Sequence, residues 1–64
     1  MHFVNKFANK IYKYLYIHDG ETLLLKDMAV ELGICRKTIA KYLKWLDRRG
    51  YIKKTGKHFE IIPQ

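Results

Sequence analysis

The stretch from residue 25 to residue 52, LKDMAVELGICRKTIAKYLKWLDRRGYI, limits what this chain can fold into more than any other. It carries the apolar spacing of two helices separated by one glycine. Ile39, Leu43 and Leu46 stand at i, i+4 and i+7, which places three apolar side chains on one helical face. At about 100° per residue, Lys37, Lys41, Lys44 and Arg48 gather on the opposite face, with Arg36, Thr38 and Trp45 on its flanks. The spacing predicts a helix over 36–49 with one greasy side and one cationic side. Before it, 26–32 reads as a helix of barely two turns, with Met28, Ala29 and Leu32 facing inward. Asp27 sits in its first turn, where a carboxylate suits the positive end of the helix dipole. Gly33 supplies the positive φ on which a sharply stopped helix commonly ends, and Ile34 ties the turn to the core.

The flanking segments complete a small domain. Val4, Phe7, Ala8, Ile11, Tyr14, Leu15 and His18 recur at three- and four-residue steps and predict a first helix over 3–17, with Lys6, Lys10 and Lys13 on its other side. Asn5, Asn9, Tyr12 and Tyr16 form a second, semi-polar stripe on that helix. Together with Phe3 they are the candidates for a homodimer contact, the alternative being tyrosines with their hydroxyls in water. Asp19-Gly20 ends the helix in a turn. Beyond Gly50, residues 51–54 and 58–62 alternate as two strands around Thr55-Gly56-Lys57, with Phe59 and Ile61 inward and His58 and Glu60 outward.

The pattern of Met28, Ala29, Leu32, Gly33, Ile34, Ile39, Leu43, Leu46, Gly50 and Ile52 resembles the winged helix-turn-helix family of DNA-binding domains. In that family a small residue sits midway in the first helix of the pair, a glycine opens the turn, and a glycine followed by apolar residues closes the reading helix before a β-hairpin. Arg49, Gly50, Tyr51 and Ile52 occupy that closing position here. One departure is Cys35, where the family often has a capping Ser or Thr. The resemblance implies an α+β fold, mostly α, with three helices and an antiparallel hairpin wing over 51–62. It also makes residues 22–25 a brief third strand rather than a one-turn extension of the next helix. Double-stranded DNA is the partner it implies, with helix 36–49 in the major groove and the wing on the adjacent backbone.

Charge distribution points the same way. The chain of 64 residues carries +7, yet residues 1–32 hold four lysines against four acids and cancel. Residues 33–64 hold nine Lys and Arg against Asp47 and Glu60, so the whole excess lies in the reading helix and in the residues C-terminal to it. One-sided basicity of this kind is the footprint of a phosphate-binding surface, whereas a merely soluble basic protein scatters its lysines. Arg36, Lys37, Thr38, Lys41, Lys44 and Arg48 on the helix, and Lys53, Lys54, Thr55, Lys57 and His58 on the wing, are therefore the candidate DNA contacts. A helix N-terminus over 35–38 adds unpaired N–H groups that suit a phosphate.

Other classes find little support. The length allows one domain, 1–64, and 48% hydrophobic residues suit a globular fold. No apolar run approaches a membrane span and no leader-like segment opens the chain, so a cytoplasmic or nucleoid location is expected, or the host cytoplasm for a viral protein. His2, His18, His58 and Cys35 share no metal-ligand spacing. No nucleophile constellation or phosphate loop is present, so neither catalysis, a cofactor nor a small-molecule ligand is expected. Cys35 reads either as a small capping residue or as an easily ionised thiol at a helix start. The Ile-, Lys- and Tyr-rich composition with few Asn and Gln suits a thermophilic archaeal setting, its viruses included. A transcription regulator is the leading function. A non-specific architectural DNA binder and a winged-helix protein-interaction module are the alternatives, the latter disfavoured by cations on the reading helix.

Overall fold

The computed structural model describes residues 3, 5–56 and 58–63 of the chain. The order of elements is α1 (Lys6–Ile17), α2 (Leu25–Leu32), α3 (Arg36–Arg48), β1 (Ile52–Thr55) and β2 (His58–Ile61). The fold is α+β and mostly helical, and three helices with an antiparallel hairpin are compatible with a winged helix. No helix among the described residues is long and apolar enough to cross a membrane.

Helix α1 starts later than apolar periodicity predicts. Asn5 is extended, and its Oδ1 accepts the Phe7 and Ala8 N–H groups at 2.8 and 3.2 Å, so it caps the helix instead of joining it. Phe3 thereby leaves the helical path and enters the core at 8% exposure. Val4, assigned to the same helix from its spacing, lies outside the described residues.

The expected third strand over 22–25 reduces to one bridge, Thr22 with His58, and the sheet has two strands. The reason is that α2 claims the leucines first. Leu24 is its N-cap, and the Leu24 carbonyl accepts the Asp27 and Met28 N–H groups. The outer edge of β2 is still covered, because the Ile61 N–H donates to Asp19 Oδ1 at 3.0 Å. A covered edge no longer offers itself to another strand.

Both glycine stops form as expected. Gly33 has φ 66°, and the Gly33 and Ile34 N–H groups converge on the Ala29 carbonyl. At the end of α3, Gly50 has φ 79°. Its N–H bonds the Asp47 carbonyl and the Tyr51 N–H reaches back to Leu46, the paired bonds of a Schellman stop. That stop reverses the chain into β1. Ile52 pairs with Ile61, Lys53 with Glu60, Lys54 with Phe59 and Thr55 with His58.

The core lies between α1 and α3 and is closed by α2 and the hairpin. Ile11, Leu15, Met28, Ile39, Leu46 and Ile52 are almost wholly buried. Beside them Phe3, Tyr12 and Tyr51 meet edge to face, with Phe3 to Tyr51 ring centroids 4.9 Å apart. Such contacts add roughly 0.5–1.5 kcal/mol each beyond area burial, a useful increment in a domain this small.

Candidate nucleic-acid interface

Helix α3 separates its two faces as its sequence dictates. Ile39, Leu43 and Leu46 are buried, while Lys37, Lys41, Lys44 and Arg48 are all exposed, as is Arg36 at its start. The described lysines and arginines have no described carboxylate within 4.0 Å; the ion pairs among the described residues are His18 with Glu21 and His58 with Glu60. The α3 cations are thus not neutralised from within that part of the chain. Lys41 Nζ lies 5.5 Å from the Tyr42 ring, and Tyr42 is itself held by Asn5, whose Nδ2 donates to its hydroxyl at 2.9 Å.

Asp47 is the one acid on α3, and Asp19, Glu21, Asp27 and Glu31 lie in α2 and the turn before it. His18 binds Glu21 at 3.2 Å. Burial first, then the charges of Glu31, Asp27 and Glu21, hold the Tyr14 hydroxyl above its ordinary pKa. Over residues 1–32 four lysines balance these four acids, whereas α3 and the hairpin hold the chain's excess of positive charge.

The hairpin candidates do not form a single patch. Strand alternation puts Lys54 and Phe59 on the face turned to α3, where they line a groove with Leu43, Lys44 and Asp47. Lys53, Thr55, His58 and Glu60 fall on the other face, and Glu60 lies opposite Lys53 and accepts or shares a hydrogen bond with His58 Nε2 at 3.4 Å. Lys54 is the described hairpin cation that shares a surface with α3. Lys57, expected at the tip, lies outside the described residues.

Trp45 packs rather than standing out toward a ligand. Its ring stacks on Tyr51 at 6.2 Å and meets Phe3 edge-on at 6.0 Å, and the Arg49 guanidinium lies 5.2 Å from it. Thr38 is half-buried, its hydroxyl 3.1 Å from Cys35 Sγ. Cys35 is the exposed N-cap of α3, and its thiol lies near the Thr38 and Lys37 N–H groups without the geometry of a full capping hydrogen bond. The Thr38 hydroxyl first, then the Thr38 N–H, favour the thiolate; desolvation opposes them, the Lys37 N–H and charge add to them, and the balance brings the pKa down.

Of the residues considered for a dimer contact, Phe3 and Tyr12 are buried in the protomer's own core, and Asn5 is engaged as a cap. Asn9 is half-buried, with Oδ1 enclosed and unpartnered. Tyr16 remains 64% exposed, beside Ile17 at 74%. Of the stripe read from the sequence, Tyr12 is internal, Asn9 half-buried, and Asn5 and Tyr16 exposed. Among the described residues no three His, Cys, Asp or Glu side chains converge as a metal site would require.

Sequence reasoning passed over the groove itself. Leu23, Leu24 and Leu25 cannot all point inward from one short connection, and that crowding was the signal that could have found it. Leu24 and Leu25 stay 47% and 38% exposed along its wall. No family model, curated protein or solved structure matches this chain.

Proposed function

We propose that this chain is a DNA-binding domain of the winged helix-turn-helix kind, acting as a transcription regulator. In this reading α3 enters the major groove and the hairpin rests on the adjacent backbone. The observation that carries it is the row of four exposed cations along α3, without an ion pair among the described residues, opposite a buried apolar row. A wide major groove admits such a helix and presents guanine O6 and N7 to Arg and Lys. Arg36 offers the planar fork suited to base reading near the helix start, and the lysines act as point charges on phosphates. Lys54 extends the positive surface onto the hairpin.

Salt separates this reading from no binding, and selection separates it from non-specific coating. Affinity for duplex DNA should fall by orders of magnitude between about 50 and 200 mM salt if six to eight cations meet phosphates. Selection from a random duplex library should return a motif. An empty selection with strong salt-dependent binding would mean an architectural protein, and no duplex binding at low salt would favour a protein-interaction module. If two subunits pair on DNA, Tyr16 and Ile17 supply the exposed apolar surface for it, and the selected motif should be palindromic.

A further inference from the structure

We infer that the groove between the 23–25 connection, α3 and the hairpin is a binding site for a small amphipathic anion, an aliphatic carboxylate in particular. Its volume of about 520 Å³ lies within the range of ordinary ligand sites. Leu23, Leu24, Leu25, Leu43 and Phe59 supply an apolar wall from three separate elements. Leu24 and Leu25 leave a large part of their surface in water, an unfavourable arrangement that an alkyl chain would relieve.

The charged groups fix the class of ligand. Lys44, Lys54 and Asp47 line the same groove, all exposed, and Asp47 lies within 4.0 Å of neither ammonium among the described ion pairs. The groove therefore carries a net positive charge beside an apolar wall. A carboxylate on an alkyl chain matches both halves, whereas a neutral alcohol of the same length matches one. The smaller hollow of about 280 Å³ beside Tyr12, Lys13, Tyr16 and Ile17 has one lysine, and provides an internal control for non-specific apolar binding.

Occupancy has a consequence that rests on the proposed DNA reading. A carboxylate seated against Lys44 and Lys54 neutralises charge that a phosphate would otherwise meet, and repels that phosphate, so the ligand would lower duplex affinity. The ligand then acts as a releasing effector, with its site built into the interface.

Backbone NMR of the full chain titrated with octanoate tests the site. Saturable shifts should centre on Leu24, Leu25, Ala40, Lys44 and Phe59, with residues around Tyr16 unmoved. Leu24→Ser removes apolar wall while installing a better N-cap, so the fold is retained, and it should weaken octanoate about fivefold or more. Lys44→Ala or Lys54→Ala should weaken it about two- to fivefold. Octan-1-ol should bind more weakly than octanoate. Shifts spread equally over the Tyr16 hollow, equal binding of the alcohol, or no saturation would each overturn the assignment. Duplex binding measured by anisotropy in parallel keeps the two ideas apart. Octanoate binding without duplex binding leaves the site standing and removes the DNA reading, and duplex binding without octanoate binding does the reverse. Where both bind, octanoate should release DNA from the wild type and far less from Leu24→Ser; simultaneous binding would overturn the effector role.

Discussion

The two flanks of α3 are built to opposite ends. On one, Trp45 and Arg49 stack beside Tyr51, with Phe3 folded back over them, and the flank is closed. On the other, Ala40 and Asp47 face Lys54, Gly56 and Phe59 across an open groove. The same helix thus has a sealed side that anchors it and an unsealed side that leaves cations and apolar surface accessible. Residue size accounts for much of the difference. A tryptophan fills its space and draws an N-terminal phenylalanine onto it, whereas an alanine and an aspartate leave room that a two-stranded hairpin is too small to fill. The packing that anchors α3 and the surface proposed for binding accordingly fall on different sides of one element, which fits a small domain that cannot give its core residues a second task.

The largest expected effect tests the closed flank. Trp45→Ala should cost roughly 2–3 kcal/mol, somewhat below the loss for a fully buried tryptophan because the ring is half-buried. For a domain of this size that lowers Tm by roughly 10–20 °C, read by far-ultraviolet circular dichroism because the only tryptophan is gone. Ala40→Leu on the open flank adds volume where space exists and should stay within about 0.5 kcal/mol of the parent. Equal losses at the two positions would remove the distinction between the flanks.

Gly33→Val takes packing out of the question. A Cβ at Gly33 would meet nothing within 4 Å, so its whole cost comes from φ 66°, a conformation poorly suited to a β-branched residue. A loss of about 1–2 kcal/mol is expected, with Gly33→Asn nearer the parent, since Asn visits left-handed backbone more readily. If Val and Asn melt alike and unchanged, the turn does not depend on that φ.

What could be read from the chain divides along similar lines. The faces of α3 and the stops at Gly33 and Gly50 were legible, because helical period and positive φ are local properties. The burial of Tyr12 and Phe3 was not. Tyr12 reads as semi-polar beside Asn5 and Asn9, and only the arrival of Phe3, released by the Asn5 cap, makes it core. The strand expected at 22–25 failed because Leu24 begins α2, a competition that periodicity over four residues cannot decide. Within the candidate interface, grouping Lys53 with Lys54 hid the fact that neighbours in a strand face opposite ways.

Strand alternation also makes it possible to test which side of the hairpin matters. Under the proposed DNA reading, Lys54→Ala should weaken all duplexes alike and reduce the salt slope by about one unit. Lys53→Ala, on the face it shares with Glu60, should change both less. Isotherms at several salt concentrations decide it. A larger effect at Lys53 would place the backbone on the far side of the hairpin and leave the open flank unused.

The smallest effect concerns Cys35, the N-cap residue of α3. The Thr38 hydroxyl and N–H favour its thiolate, so the folded thiol titrates below its ordinary value. Iodoacetamide alkylation followed against pH should therefore show a lower midpoint in the folded chain than in urea. Thr38→Val removes the hydroxyl, the leading contribution, while keeping the N–H, and should move the folded midpoint part of the way back. By linkage, a folded pKa lying below the unfolded one stabilises the fold above the unfolded pKa, and that contribution disappears as pH falls through the folded pKa. Because the thiol is fully exposed, the alkylation midpoint should register the shift while Tm stays nearly constant across the same range. A midpoint unchanged by unfolding, or by Thr38→Val, would show that the Cys35 to Thr38 contact of 3.1 Å does not persist in solution and that the N-terminal end of α3 is looser than its Schellman-closed other end.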